Sequence, residues 1–361
     1  MHTLWKLVKW LVVLLGAAVL AMAALFLGIR GYHQRANAAA FAIKTPNGIN
    51  EAGYVRIGGI DQWVQIRGQN RDNPVLLCLH GGPGGTWLPV TRLFLPWEKE
   101  FTVVFWDQRG AGKTLKSTGP AIANTMTIER MARDGIELTE HLRERLGKKK
   151  IILLGHSFGS LLGIHMVKQR PELFHAFVGT GQVADLPRSL ELEYGRLQER
   201  ARQAGDVKTR QALAAMGPPP FKNLRQVAAY FEQVGKYQPP ADNAAIAAIQ
   251  QSLLSPIPDY SLGDEVNRFK GFSAVPTWTL YEELLSAKLA ALGPDFQVPV
   301  FIFQGSRDPV TPSAVAEDYF KTINAPRKEW VALPEGGHFA VWSHADAFLQ
   351  ELVTRVRPLA L

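Results

Sequence analysis

Residues 155–159, with the sequence GHSFG, match the pattern G-x-S-x-G, in which a serine can act as a nucleophile. In this pattern the serine lies on a sharp turn between a strand and a helix, and the helix that begins there presents N–H donors beside the hydroxyl. A glycine-lined turn can produce the same run by chance. Here, however, an apolar run at 151–154 precedes it and a helical pattern at 158–169 follows it. This context favours Ser157 as a nucleophile.

A serine hydroxyl needs a histidine base, and the base needs a carboxylate to orient it. The expected chain order is serine, acid, histidine. Asp308 follows the apolar run FIFQ, and His338 follows the run WVAL, so both are predicted at the ends of strands. We therefore predict a triad of Ser157, Asp308 and His338. Two further carboxylates are alternative acids: Glu335 and Asp295.

The glycine-rich run HGGPGG at 80–85 could supply an oxyanion hole, which needs two N–H groups aimed at a developing negative charge. Glycines let the backbone approach a carbonyl oxygen closely. We predict that Gly82 and Phe158 donate these N–H groups, with Gly81 as the alternative to Gly82. A phosphate-binding loop is disfavoured because the run lacks the G-K-[ST] ending.

The elements that must position these residues read as alternating strands and helices. Short apolar runs, typical of buried strands, recur between helical patterns, at 75–79, 101–106, 151–154, 174–179, 298–303 and 330–333, after a predicted hairpin at 54–66. This alternation predicts an α/β fold with a mainly parallel sheet covered by helices on both faces. Between 184 and 292 the strand runs vanish, which predicts a helical insertion.

The N-terminus contains an uncharged apolar stretch of 19 residues, 11–29, which would span about 28 Å as a helix, close to the thickness of a bilayer core. We predict an uncleaved membrane anchor rather than a cleaved signal peptide, since signal h-regions are shorter. If Lys6 and Lys9 stay on the cytoplasmic side of the membrane, the main domain is exported, which in a bacterium means into the periplasm. The predicted domains are the anchor 1–30, a linker 31–50, the sheet core 51–183 and 293–361, and the helical insertion 184–292.

The composition excludes several other classes of protein. Of 361 residues, 47% are hydrophobic, which rules out a disordered chain. The net charge of +8 is scattered and no nucleic-acid-binding motif accompanies it, so we expect no nucleic-acid partner. The single cysteine, Cys78, excludes an internal disulfide and a multi-cysteine zinc site, and no metal-ligand pattern appears. No cofactor is therefore implied, and the oligomeric state is not predicted.

Five motifs together resemble the proline iminopeptidase group of α/β-hydrolases, peptidase family S33. They are HGGPG at 80–84, WDQRGAGK at 106–113, GHSFGS at 155–160, GSRD at 305–308 and GH at 337–338. The resemblance implies an α/β-hydrolase core with a helical cap, and cofactor-free hydrolysis through an acyl-serine. It assigns the nucleophile, acid and base to the same three residues. We interpret Asp107 and Arg109 as residues that stabilise their loop.

Members of this group bind the free amine of the substrate with cap glutamates, one of which usually follows a tryptophan. The only Trp-Glu pair here, at 97–98, lies outside the predicted cap. Substrate-binding candidates in the cap are Glu191, Glu193 and Glu232, with Glu282 and Glu283 as further possibilities. Three functions stay open: an iminopeptidase-like amidase, a carboxylesterase of apolar esters, and a non-catalytic binding protein.

Overall fold

An eight-stranded sheet forms the centre of the molecule in the computed structural model, which describes residues 2–251, 253–274 and 277–361. The spatial order is β1-β2-β4-β3-β5-β6-β7-β8. The strands are β1 Ile49–Ile57, β2 Ile60–Gly68, β3 Val75–Leu79, β4 Thr102–Asp107, β5 Ile151–His156, β6 Phe174–Thr180, β7 Val300–Gly305 and β8 Lys328–Leu333. The predicted hairpin is the antiparallel pair β1–β2, and the strands from β4 to β8 run parallel. The predicted parallel sheet is thus confirmed.

Helices cover both faces of this sheet. Those of the core are α2 Gly112–Thr118, α3 Ile128–Leu146, α4 Phe158–Gln169, α11 Ser313–Thr322, α12 Ala340–Ser343 and α13 Ala345–Glu351. Alternate residues of β3 enter two separate apolar clusters: Leu77 and Leu79 lie in one, and Leu76 and Cys78 in the other. A strand buried on both faces reads as a continuous apolar run, which is why the pattern predicted these strands well.

Six helices lie between β6 and β7 in the described part of the chain, within the segment predicted as a helical insertion. They are α5 Leu186–Gln203, α6 Val207–Met216, α7 Leu224–Gly235, α8 Pro240–Gln251, α9 Leu262–Ala274 and α10 Trp278–Ser286. We call this group of helices the cap. Helical patterns at 190–204, 224–236, 241–254 and 279–292 in the sequence predict α5, α7, α8 and α10, whereas no pattern singled out α6 or α9.

The N-terminal helix α1, His2–Ala40, contains the apolar stretch and is long and apolar enough to cross a membrane, since an 18-residue window within it has a mean hydropathy of 2.7. The linker predicted over residues 31–50 is wrong for 31–40, which continue the same helix, and β1 begins at Ile49. Helix-compatible residues continue past Arg30, and polar contacts fix them to the cap. The side chains of Gln34 and Asn37 donate to the carbonyls of Pro258 and Pro256 at 2.6 and 2.7 Å.

Candidate active site

Ser157 occupies the turn between β5 and α4, with a backbone conformation that residues other than glycine rarely adopt (φ 54°, ψ −124°). A non-glycine residue at positive φ costs of order 1–3 kcal/mol and persists where the surroundings impose it. The Ser157 N–H donates to the carbonyl of Thr180 on β6 at 2.9 Å. A Cβ on Gly155 would lie 2.4 Å from the Gly159 carbonyl oxygen, so the turn requires its glycines. This is the sharp turn that the G-x-S-x-G pattern predicts.

His338 and Asp308 form a buried pair at the ends of β8 and β7. The distance between His338 Nδ1 and Asp308 Oδ2 is 3.0 Å, and the residues are 5% and 3% exposed. Asp308 also accepts from the N–H groups of Val310 and Thr311, both at 2.8 Å, and from the Gln304 amide at 3.0 Å. Burial disfavours the carboxylate, but His338 and these donors outweigh it and hold the pKa of Asp308 below its ordinary value.

The loops that carry Ser157 and His338 meet through His156. The ring Nε2 of His156 lies 2.9 Å from the His338 carbonyl oxygen, and the two ring centroids are 4.8 Å apart. Gly181 follows β6, whose Thr180 carbonyl accepts from the Ser157 N–H. A Cβ atom on Gly181 would lie 2.9 Å from His338 Cε1. Within the described chain, no hydrogen bond joins Ser157 Oγ to His338. Such bonds between nucleophile and base often tighten only in the substrate complex.

The glycine loop after β3 lies directly against Ser157. A Cβ on Gly81 would be 2.9 Å from the Cβ of Ser157. Gly82 has φ 126°, a region that favours glycine. Neither the Gly82 N–H nor the Phe158 N–H has a backbone acceptor among the described residues. The loop therefore brings two candidate N–H donors to the neighbourhood of Ser157.

Two buried polar groups hold this loop. His80 Nδ1 contacts the Gly81 carbonyl oxygen at 2.8 Å, and its Nε2 accepts from the Gln108 N–H at 3.1 Å. Burial lowers the pKa of His80 to about 4, so the ring is neutral at pH 7. Asp107 accepts from the Thr86 hydroxyl and from the Lys113 N–H, and burial raises the pKa of Asp107 to about 6.

Arg109 belongs to a buried ion pair that confirms its predicted structural role. Its Nε lies 2.8 Å from Asp134 Oδ2, and it also donates to the Gly58 carbonyl and the Thr125 hydroxyl, both at 2.9 Å. These contacts join the hairpin, the loop after β4 and helix α3. Arg109 therefore stabilises the loop next to the glycine run.

Two residues that the sequence analysis missed hold the loop of His338. His156 binds the His338 carbonyl, and burial, together with the neighbouring His338, lowers the pKa of His156 to about 3. Asp242 of α8 is fully buried and accepts from the N–H groups of Gly337 and Phe339, at 3.3 and 2.9 Å, on either side of His338. Only the position of His156 beside the serine could have singled it out, and nothing marked Asp242.

The predicted cap glutamates do not meet at Ser157 in the described structure. Glu191 and Glu232 are exposed, and buried Glu193 is paired with Arg200 within α5. Of the further candidates, Glu282 is exposed and Glu283 accepts from the N–H of Ile128 at 3.1 Å. No contact between these five side chains and Ser157 or His338 appears in the described structure.

The two alternative acids also point elsewhere. Glu335 is exposed and pairs with Arg307 at 2.7 Å, and Asp295 accepts from the Asn324 amide at 2.9 Å. Asp308 is thus the carboxylate that contacts His338 among the three acids considered. In the described ranges, no cluster of three or more His, Cys, Asp or Glu side chains could hold a metal ion.

Comparison with known proteins agrees with this architecture. Residues 74–345 match the family model described as the alpha/beta hydrolase fold. The chain is 29% identical over 307 residues to a probable aminopeptidase of Bacillus subtilis, covering 78% of this chain and 88% of that protein. It is 26% identical over 330 residues to a proline iminopeptidase of Saccharolobus solfataricus, covering 83% and 90%.

Solved structures share the fold at lower sequence identity. The proline iminopeptidase-related protein of Thermus thermophilus matches with a TM-score of 0.57 and 22% identity, over 86% of this chain and 99% of that chain. A bacterial membrane phospholipase A matches with a TM-score of 0.56 and 17% identity, over 98% and 99%. The chain therefore belongs to the α/β-hydrolase family, as a proline iminopeptidase-like hydrolase enzyme.

Proposed function

We propose that this enzyme is a serine hydrolase in which Ser157, His338 and Asp308 form the triad, and that it cleaves small amide or ester substrates in the manner of a proline iminopeptidase. The observation that carries the proposal is the buried His338–Asp308 pair beside the loop of Ser157. In this arrangement the Nδ1–H of His338 donates to Asp308, which leaves Nε2 to act as the base.

The chemistry follows from these roles. Ser157 Oγ attacks the acyl carbon while His338 Nε2 takes the hydroxyl proton, and the carbonyl oxygen becomes an oxyanion that the N–H groups of Gly82 and Phe158 stabilise. His338 then gives the proton to the leaving amine or alcohol, and an acyl-serine remains. Water, deprotonated by the same histidine, hydrolyses the acyl-serine and restores the serine hydroxyl.

The curated relatives support an aminopeptidase-like substrate, because they are named as a probable aminopeptidase and a proline iminopeptidase. Such a substrate carries a free cationic amine, which needs a carboxylate that is not neutralised by another cation. A second candidate, a carboxylesterase of apolar esters, is favoured by the pairing of three buried cap carboxylates with cations, whereas buried Asp242 accepts hydrogen bonds from the His338 loop. Glu193 pairs with Arg200, Asp264 with Lys116, and Glu265 with Arg268.

We also infer that α1 anchors the enzyme in a membrane, with the catalytic domain on the exported side, which is the periplasm in a bacterium. The apolar side chains of this helix support the anchor, since Leu14 and Leu20 are 67% and 72% exposed. A match that includes 98% of this chain to a membrane phospholipase A adds to this support. Resistance of the full chain to carbonate extraction, and a reporter fused to the C-terminus, test the anchor and the side.

One substrate panel tests the hydrolase and separates its two substrate classes. Proline p-nitroanilide and p-nitrophenyl esters of graded chain length are compared on the purified enzyme and on Ser157→Ala. Higher kcat/KM for the prolyl substrate supports the iminopeptidase, and higher kcat/KM for the esters supports the esterase. Full turnover by Ser157→Ala would refute the triad.

A further inference from the structure

The cap is fixed to the C-terminal end of the apolar stretch of α1. Arg30, the first charged residue after that stretch, donates to the carbonyls of Leu253 and Tyr260, the latter at 2.8 Å. One turn further, Gln34 donates to the carbonyl of Pro258. An arginine that ends an apolar span lies at the interface between the hydrocarbon and the headgroups. If α1 is the anchor proposed above, residues 253–260 of the cap lie at the level of the membrane surface.

Apolar side chains are exposed on the same part of the cap. Leu253 and Leu254 are 37% and 48% exposed, and on α9 Val266 and Phe269 are 52% and 58% exposed. We call these four residues the lipid-contact surface. The exposed residues of α9 are spaced at three and four, so they share one face of the helix, which also carries exposed Lys270. Apolar side chains beside lysine are typical of helices that lie in a membrane interface.

The other side of α9 packs on the catalytic core. Asp264 pairs with Lys116 of α2 at 2.9 Å. Near the end of the helix, a Cβ on Gly271 would lie 2.6 Å from the carbonyl oxygen of Gly84, in the glycine loop. The whole of α9 is 13 residues long, which is about 20 Å at 1.5 Å per residue. A single helix therefore connects the lipid-contact surface with the loop that faces Ser157.

From these contacts we propose that the lipid-contact surface rests in the headgroup region of the bilayer, beside α1, and that the enzyme takes amphiphilic acyl substrates from the membrane surface. The proposal rests on the anchor and the triad proposed above. Its partner is a lipid bilayer. Hydrogen bonds from side chains of α1 to backbone carbonyls of the cap join the two, so both contact the same membrane. Burial of the four apolar side chains in the bilayer strengthens the binding of the enzyme to the membrane.

Depth-dependent quenching tests the position of the surface directly. Cys78 is buried, so a cysteine introduced at Leu254 or Val266 can be labelled selectively with an environment-sensitive fluorophore. The matched control is Val207→Cys on α6, since Val207 is also apolar and 56% exposed. The labelled full-length enzyme is reconstituted in phosphatidylcholine–phosphatidylglycerol vesicles that carry a quencher on the lipid chains. We expect several-fold stronger quenching at 254 and 266 than at 207; equal quenching would overturn the proposal.

An activity comparison tests the consequence for substrates. In Leu253→Ser/Leu254→Ser, turnover of a long-chain ester presented in the same vesicles should fall several-fold, while turnover of a soluble short-chain ester stays unchanged. Val207→Ser should leave both activities unchanged. Equal activity of the double variant and the wild type in vesicles would contradict the proposal.

Separate measurements distinguish this inference from the functions on which it rests. If vesicle flotation of the full chain fails, the anchor is wrong and the inference falls with it. If Ser157→Ala retains turnover of the soluble ester, the triad is wrong, although the quenching experiment still tests whether the lipid-contact surface lies in the bilayer. If both hold and position 254 is quenched no more than position 207, only the lipid-contact surface is wrong.

Discussion

Replacing Asp242 by asparagine should slow catalysis although Asp242 lies on the cap, 96 positions before His338 in the sequence. Its carboxylate accepts from the Gly337 N–H at 3.3 Å, the Phe339 N–H at 2.9 Å and the Ser343 hydroxyl at 2.8 Å. Asparagine has one acceptor oxygen, so at least one of these donors loses its partner and faces an amide N–H instead.

The magnitude follows from the number of hydrogen bonds lost. A hydrogen bond to a charged group contributes about 1.5–3 kcal/mol, so losing one or two should lower the free energy of unfolding by about 1.5–6 kcal/mol. The same loss of hydrogen bonds loosens Gly337 and Phe339, the two neighbours of His338 in the sequence. A displacement of a reacting group by about 1 Å can cost about 100-fold in rate, and we expect a decrease of that order in kcat for Asp242→Asn.

The assay compares kcat and KM for a soluble p-nitrophenyl ester with urea unfolding of the same preparations. Asp206→Asn is the matched control, because Asp206 caps α6 by accepting from the Thr209 N–H at 2.9 Å, and asparagine caps helices equally well. We expect the control to keep its kcat. If Asp242→Asn is destabilised but keeps the wild-type kcat, the cap does not position His338, and the reasoning is refuted.

Three further predictions concern the histidines and the buried acid. His338→Ala should lower kcat by a factor on the order of 10⁶, as in another triad enzyme, whereas His344→Ala should be mild; the reverse order in ester kinetics would mean that the base is wrongly assigned. Because the pKa of His80 is lowered to about 4 and that of His156 to about 3, both contribute stability that is present above pH 6.5 and lost as the pH falls. Urea unfolding should show a loss of about 6 kcal/mol from these two residues between pH 6.5 and pH 4, and an unchanged slope in His156→Gln would contradict this. The pKa of Asp107 is raised to about 6, so its contribution to stability is present below about pH 4 and lost as the pH rises. Relative to Asp107→Asn, the free energy of unfolding of the wild type should fall by about 3 kcal/mol between pH 4 and pH 7. A difference between the two proteins that stays constant with pH would show that Asp107 is not buried as a neutral acid.

The sequence predicted best those elements whose signals are local. Helix α4 has the predicted bounds, because the elbow begins it and Pro171 follows its end. Helix α3 begins after Thr127, whose hydroxyl accepts from the Arg130 N–H at 3.0 Å, and ends at Gly147 with φ 65°. Capping residues at both ends, together with a regular apolar period, define such a helix within its own sequence.

Other elements depend on contacts that a local pattern does not contain. The buried face of α9 carries Asp264, which pairs with Lys116 of α2, and Glu265, which pairs with Arg268 of the same helix, so its apolar period is weak. The extension of α1 beyond residue 30 is held by polar contacts of Gln34 and Asn37 with cap carbonyls more than 200 positions away. These partners become neighbours only through the tertiary structure.

The candidate site likewise contains residues that a local sequence pattern marks and residues that only the tertiary structure brings into place. Ser157, Asp308 and His338 each follow a strand of a parallel sheet, and the apolar runs before them in the sequence predicted this position. Of the residues that hold the site, Asp242 lies outside every motif and His156 occupies a variable position of G-x-S-x-G, and each acts by binding backbone groups of the His338 loop. Backbone acceptors and donors are present at almost every position, so a sequence cannot single out which of them a buried side chain will meet.

The most direct test of the central claim is to identify by mass spectrometry the residue that a fluorophosphonate probe modifies in the full-length enzyme. The account predicts a single modified peptide that carries the probe on Ser157, and no labelling in Ser157→Ala or after heat denaturation. Modification of another residue, or undiminished labelling of Ser157→Ala, would contradict it.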